Sequence, residues 1–341
     1  MKKSILLLAL IISPFAVSAQ TVDYSVVSIE SEKNLNLSSA SDIIGDVVMP
    51  LVKRSKDAVS WWTGNVLAQL GSTNVAYLYV NNGKFGIGEC DAKYMHGRKS
   101  IVSNHDIVGF CFSPDSKSIC YSETQGERHV VCLSSLMNVD SYTEVSSSGD
   151  NYSPVFSSDG SLVYYCCVES GKEPIIKSYD TQRGITTDVV EGMNPEPTPD
   201  GKFLLYSRRL DDGSYSIWKV NLQNGIKTCL VRQQARSFTS PAVSPDGNWI
   251  AMTGNCSLQI TYEKEAYSSF PRETFTVSKR YNNTDIYVCR IDGSDLHALT
   301  CHAADDISPI WSRDGKHIYF VSQRGSSLAK ANIWRMGFNE E

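Results

Sequence analysis

From Gly109 onward, short apolar runs and polar turns alternate in a pattern that returns five times. It reads G-F-C-F-S-P-D-S-K-S-I-C-Y-S from Gly109 to Ser122, then S-P-V-F-S-S-D-G-S-L-V-Y-Y-C from Ser153 to Cys166. It returns as N-P-E-P-T-P-D-G-K-F-L-L-Y-S from Asn194, S-P-A-V-S-P-D-G-N-W-I-A-M-T from Ser240 and S-P-I-W-S-R-D-G-K-H-I-Y-F-V from Ser308. Each copy predicts a short strand, a tight turn and a second strand rich in β-branched and aromatic residues. Asp159-Gly160, Asp200-Gly201, Asp246-Gly247 and Asp314-Gly315 put Asp where its side chain bonds the backbone and Gly where positive φ is needed. Ser116 replaces that Gly in the first copy and weakens its turn. Pro154, Pro195, Pro241 and Pro309 are expected to open the first strand, where a missing N–H costs little.

A third strand follows each hairpin, as at Ser216 to Val220, Asp285 to Val288 and Asn332 to Arg335, and a fourth such as His297 to Thr300. The turn aspartates 115, 159, 200, 246 and 314 are spaced 44, 41, 46 and 68 residues apart, so only the last interval needs an insertion. Four antiparallel strands in roughly 40 to 45 residues make a propeller blade. Upstream, Asn65 to Leu70, Asn74 to Val80 and Lys84 to Asp91 give a degenerate first blade without the signature turn. The expected fold is therefore an all-β, six-bladed β-propeller of four-stranded antiparallel blades. The blades fall at about 61–105, 106–147, 148–191, 192–235, 236–303 (insertion 254–282) and 304–341. The last blade runs out of chain after three strands, and the alternating segment 22–32 near the N-terminus is expected to supply the fourth and close the ring.

The hairpin signature followed by D-I-Y-V-C-R-I-D-G-S-D-L-H-A-L-T resembles the WD40-like repeat of TolB-like propellers, over Ile101 to Met336. The resemblance implies the fold and a Gram-negative source. It leaves function open, because such propellers occur in binding proteins, proteases and surface proteins alike. TolB itself carries an α/β domain before its propeller, and the 40 or so residues ahead of the first blade here are too few for one.

At the N-terminus, Met1-Lys2-Lys3, an apolar run from Ile5 to Val17 broken by Pro14, and small residues at Val17 and Ala19 form a secretory leader, residues 1–19, cut after Ala19. The run is shorter than the roughly 20 residues of a membrane span, so 20–341 is expected as one domain without a transmembrane segment, periplasmic or otherwise exported. Loss of Lys2 and Lys3 with the leader takes the net charge from -5 to -7, which argues against a nucleic-acid partner. The ten cysteines are about 3% of the chain and sit mostly in apolar runs, without a zinc spacing; they read as buried hydrophobes, with one or two disulfides as the alternative.

Candidate site residues come from the blade register. Nine residues before each turn aspartate, where the innermost strand begins, stand Asp106, Asp150, Glu191, Ser237 and Asp305, with Asp306 and His105 beside them. Four of those five are acidic and would ring one mouth of the channel, able to hold a cation or a basic group of a partner. Capping of turns is the competing account. The insertion carries Tyr262, Tyr267 and Arg272 and falls on the same end, as do Arg208 and Arg209 at the end of a second strand; tyrosines give flat contact area at low entropy cost. Trp61-Trp62 reads as a buried wedge, and the histidines lack metal-ligand spacing.

These features predict a non-enzymatic binding or scaffold protein that takes a protein or peptide at the channel mouth, such as an envelope lipoprotein or outer-membrane component, with a glycan as a further candidate. No resident cofactor is expected; a divalent cation in the channel is the alternative. That alternative goes with an enzyme resembling oligogalacturonate lyase, which needs several ligands around one metal. A peptidase would need an α/β-hydrolase domain and a G-x-S-x-G elbow, and neither is in the sequence.

Overall fold

The computed structural model describes residues 66–339 apart from 72, 82–83, 92–98, 235, 266–273, 302–303 and 323–331; for 256–282 it gives backbone only. The expected closing strand 22–32, the leader and Trp61-Trp62 lie outside the described residues. All regular structure described is β, in six antiparallel sheets. Blade one holds β1 (Leu67–Leu70), β2 (Asn74–Asn81), β3 (Lys84–Asp91) and β4 (Lys99–Val102). Blade two holds β5 (Ile107–Phe112), β6 (Ser118–Gln125), β7 (Arg128–Ser135) and β8 (Asn138–Glu144). Blade three holds β9 (Asp150–Phe156), β10 (Leu162–Val168), β11 (Ile175–Asp180) and β12 (Thr186–Glu191). Blade four follows with β13 (Met193–Pro197), β14 (Phe203–Arg209), β15 (Tyr215–Asn221) and β16 (Lys227–Val231). Blade five has β17 (Phe238–Val243), β18 (Trp249–Glu265), β19 (Thr274–Arg290) and β20 (His297–Ala298). Blade six has β21 (Asp306–Trp311), β22 (His317–Ser322) and β23 (Asn332–Gly337).

The core lies between blades. Leu204 and Tyr206 of blade four pack on Tyr164 and Ile176 of blade three, and Trp311 and Phe320 of blade six on Trp249 and Ile286 of blade five. The largest cluster closes the circle, joining Tyr77 and Ile87 of blade one to Ile107 and Tyr121 of blade two and to Tyr319 and Ile333 of blade six. Each blade is thus sandwiched, and its second strand is apolar on both faces. That is why Leu162–Val168 reads as a continuous apolar run with five successive buried residues rather than as an alternation. The cysteines fit this role: Cys90, Cys111, Cys120, Cys132, Cys166, Cys167 and Cys289 are buried. Burial pushes the Cys90, Cys132 and Cys289 thiols up to about 12.

The signature turn is a small hydrogen-bond network. Ser157 Oγ donates to Asp159 at 2.6 Å and accepts the Leu162 N–H at 2.9 Å, while Asp159 accepts the Ser161 N–H at 3.0 Å. Thr198-Asp200, Ser244-Asp246 and Ser312-Asp314 repeat it, as does Ser113-Asp115. The fourth turn residue is left-handed throughout, with φ of 75° at Gly160, 68° at Gly201, 76° at Gly247 and 70° at Gly315. Ser116 holds the same conformation at φ 57°, the cost that the missing Gly implies. Its neighbourhood is braced by Arg313 of blade six, whose guanidinium donates to Ser116 Oγ at 3.2 Å and to the Pro114 carbonyl at 3.4 Å. The contact crosses blade one, which lacks the turn.

The prolines do not open their strands. Pro154, Pro195, Pro241 and Pro309 sit within β9, β13, β17 and β21, each with its preceding residue at a point where the pairing register shifts. That preceding residue is left-handed, with φ of 51° at Ser153, Asn194 and Ser240 and 54° at Ser308. Two residues oppose one across each bulge, so the pair is relieved of ladder bonding and the missing proline N–H costs little.

Candidate functional site

The connections into innermost strands and those joining second to third strands share one end of the propeller, and the Asp-Gly turns occupy the other. On the first end, Asp106, Asp150 and Asp305 immediately precede or begin β5, β9 and β21, as the register requires. All three reach back to the blade before. Asp106 accepts the Phe85 N–H at 3.0 Å. Asp150 accepts the His129 N–H at 2.8 Å, and Asp305 the Thr284 N–H at 2.9 Å. Ser237 makes the same link, its Oγ accepting the Tyr215 N–H at 3.1 Å. These side chains therefore stitch the start of one blade to the third strand of the previous one. Asp306, grouped with them from the sequence, is buried in β21. His105 is held within blade two, with Nδ1 2.8 Å from Glu123 and Nε2 3.3 Å from Asp140. Among the described residues no group of three or more His, Cys, Asp or Glu side chains is arranged to hold a metal ion.

Glu191 departs from the series. It ends β12 rather than preceding an innermost strand, and it is exposed. Between blades three and four the link is made at Gly192, its N–H donating to the Pro174 carbonyl at 2.8 Å and its carbonyl accepting from the Cys166 thiol at 3.8 Å. A Cβ at Gly192 would fall 2.5 Å from the Tyr206 ring and 2.9 Å from the Ser207 carbonyl, so only glycine fits that approach. Without the carboxylate or hydroxyl that clips the other described junctions, this one opens into a cleft of about 400 Å³, lined by Glu173, Glu191, Gly192, Arg208, Arg209 and Asp211 among others. Arg208 lies over the Trp218 ring, 5.2 Å from its centre, and the indole N–H is fixed by Ser216 Oγ at 2.8 Å. The structure thus gathers Glu191, Arg208 and Arg209 from the predicted set into one cleft, and assigns Asp106, Asp150 and Asp305 to blade junctions. Glu173, Gly192 and Asp211 were not singled out from the sequence. The residue after each strand-start position reads Ile107, Asn151, Gly192, Phe238 and Asp306, and the lone glycine was the available signal.

The insertion of blade five is a continuation of its second and third strands. β18 and β19 each run 17 residues, against six to eight for the second strands of the other blades. They pair without interruption from Trp249 with Arg290 to Glu265 with Thr274. This ribbon leaves the propeller on the end that carries the cleft. Tyr262 stands within it; Tyr267 and Arg272 lie outside the described residues.

No family model matches the chain. A stretch of 125 residues is 27% identical to an uncharacterized protein of Agrobacterium fabrum and covers 37% of this chain and 34% of that protein, so the match spans about a third of the relative. Among solved structures, TolB from Acinetobacter baumannii superposes with a TM-score of 0.57 at 19% identity, over 80% of this chain and 65% of that one. A putative TolB from Agrobacterium tumefaciens gives 0.54 at 13% identity, over 79% and 87%. An oligogalacturonate lyase in complex with manganese gives 0.51 at 13% identity, over 82% and 90%. At these identities the likeness is one of fold, and binding proteins and enzymes share it. The chain is a six-bladed β-propeller of the TolB-like fold.

Proposed function

We propose that the chain, exported by its leader, is a binding platform that takes a protein or peptide partner on the end of the propeller bearing the ribbon. The observation that carries this reading is the register of the ribbon. Leu258 pairs with Tyr281, Ile260 with Lys279, Tyr262 with Val277 and Lys264 with Phe275, and these pairs share one face. Ser257 with Asn282, Gln259 with Arg280, Thr261 with Ser278 and Glu263 with Thr276 share the other. One face is mainly apolar and the other wholly polar. A lone two-stranded ribbon is marginal in water, and an apolar face on such an arm is the kind of surface by which a partner is held. The lyase alternative would need several ligands converging on one metal, whereas Asp106, Asp150 and Asp305 are bonded to the preceding blades.

The test replaces residues 258–281 with Asn-Gly, a two-residue turn that closes the hairpin on the Ser257–Asn282 pair. Both proteins are immobilised and offered an envelope extract. The expected result is a partner retained by the full chain and lost by the shortened one, with melting temperatures alike. Equal capture by both, or none by either, would overturn the reading.

A further inference from the structure

The cleft between blades three and four carries five formal charges that do not neutralise one another. Arg208 and Arg209 end β14, Glu191 ends β12, and Glu173 and Asp211 sit in the turns beside them. Among the described residues none of the five enters an ion pair. Opposite charges on flexible side chains in one cleft ordinarily meet, at a gain of up to about 1 kcal/mol. Here they do not meet, although Gly192 lies against Tyr206 and Ser207 at the end of β14. The guanidinium of Arg208 rests on Trp218, on the blade-four wall, while Glu173 and Glu191 belong to blade three. The cleft therefore has both arginines on its blade-four wall, with Asp211 in the turn beyond them, and only carboxylates on its blade-three wall. An anion alone would meet the carboxylates, and a cation alone the arginines. A ligand that carries both charges satisfies both walls.

We infer that this cleft binds a small zwitterion of amino-acid or dipeptide size, with its carboxylate on Arg208 and Arg209 and its ammonium on Glu173 and Glu191. The volume of about 400 Å³ lies near the lower end of small-molecule sites, roughly 300 to 1,000 Å³, which suits such a ligand. Arginine is the side chain best shaped for a carboxylate, since its planar fork donates two parallel hydrogen bonds. The ring under Arg208 pre-orients that fork and reduces the entropy lost on binding. This site is separate from the ribbon. The variants used for one leave the other intact, so either proposal can fail alone.

The probe is alanyl-alanine, titrated calorimetrically into the full chain beside its N-acetylated and C-amidated forms. The expected result is binding with a Kd of about 1 mM or tighter, weakened about tenfold or more by either cap. Arg209→Gln should remove the preference for the free carboxylate and leave the preference for the free amine; Glu191→Gln should do the reverse. Both residues are at the surface end of their strands, and an unchanged melting temperature reports that the blades are intact. No heat at about ten times that concentration, or equal affinity of the capped and uncapped peptides, would overturn the inference.

Discussion

Asp150 grips His129 twice, taking the backbone N–H at 2.8 Å and the ring Nδ1 at 3.0 Å on the same carboxylate oxygen. Tyr152 Oη donates to the other oxygen at 2.5 Å. One carboxylate therefore fixes the start of blade three to the third strand of blade two. Burial by itself would raise its pKa, but the hydrogen bonds from the His129 ring, Tyr152 and the His129 N–H outweigh that and hold it at about 2.

Replacing Asp150 with Ala should cost about 1 to 3 kcal/mol near neutral pH, because two donors of blade two and the Tyr152 hydroxyl lose their acceptor. The sign of the pH dependence follows from the lowered pKa. The contribution is present above the ordinary value of 3.8 and is lost as the pH falls toward 2. Urea unfolding at pH 7 and pH 3 should show a smaller gap between variant and parent at the lower pH. An equal gap at both would mean that the carboxylate is not the group responsible.

Ser116→Gly should raise stability. Serine at φ 57° bears roughly 1 kcal/mol of left-handed strain, and the greater freedom of glycine in the unfolded chain offsets about half of it. A gain near 0.5 kcal/mol is then expected, or about 1 to 2 °C for a domain of this size. The bond from Arg313 to Ser116 Oγ is exposed and worth little. A lower melting temperature for the glycine variant would show that Arg313 contributes more than the strain costs.

Glu196 stands in β13 and accepts the Val243 N–H of the next blade at 3.1 Å. Removal from water raises its pKa to about 7, and the bond from Val243 only partly opposes the rise. A raised pKa means the protonated form is favoured in the fold, so the contribution is full below 4.5 and is lost as the pH passes 7. Glu196→Gln keeps an acceptor and removes the charge. Calorimetry should find the variant more stable than the parent at pH 8 and close to it at pH 5. A difference that does not change with pH would place the titration elsewhere.

The hairpins were legible because their chemistry is local. Ser157, Asp159 and Gly160 lie within four residues, and the network they form needs nothing from the rest of the chain. The period of the copies then counted the blades. The prolines were placed one step wrong because a bulge depends on the partner strand: nothing around Pro154 states that it and Ser153 face one residue of β10. The insertion was read as a long loop or a hairpin extension of its blade, and the alternation that decides for the hairpin was present. Leu258, Ile260 and Tyr262 stand two apart, but the strand they continue already looked complete.

The site was legible in part. Sequence register found the acidic strand starts, yet the donors to Asp106, Asp150 and Asp305 lie 21 residues upstream, in the blade before. Only the packing of one blade on the next shows whether such a carboxylate is turned to the channel or spent on a neighbour. Arg208 and Arg209 were noticed as a pair, and Glu191 as one of a ring; that they share a cleft depends on Gly192, where the other described junctions carry a clipping aspartate or serine.

The sequence by itself therefore determined the unit and the count of the blades, because turn chemistry and apolar runs act within one hairpin. Tertiary structure alone decided which charged groups are spent on blade junctions and which come together in a cleft. That choice is made between residues far apart in the chain, where the fit of neighbouring blades either supplies a backbone donor to each carboxylate or leaves it unpaired.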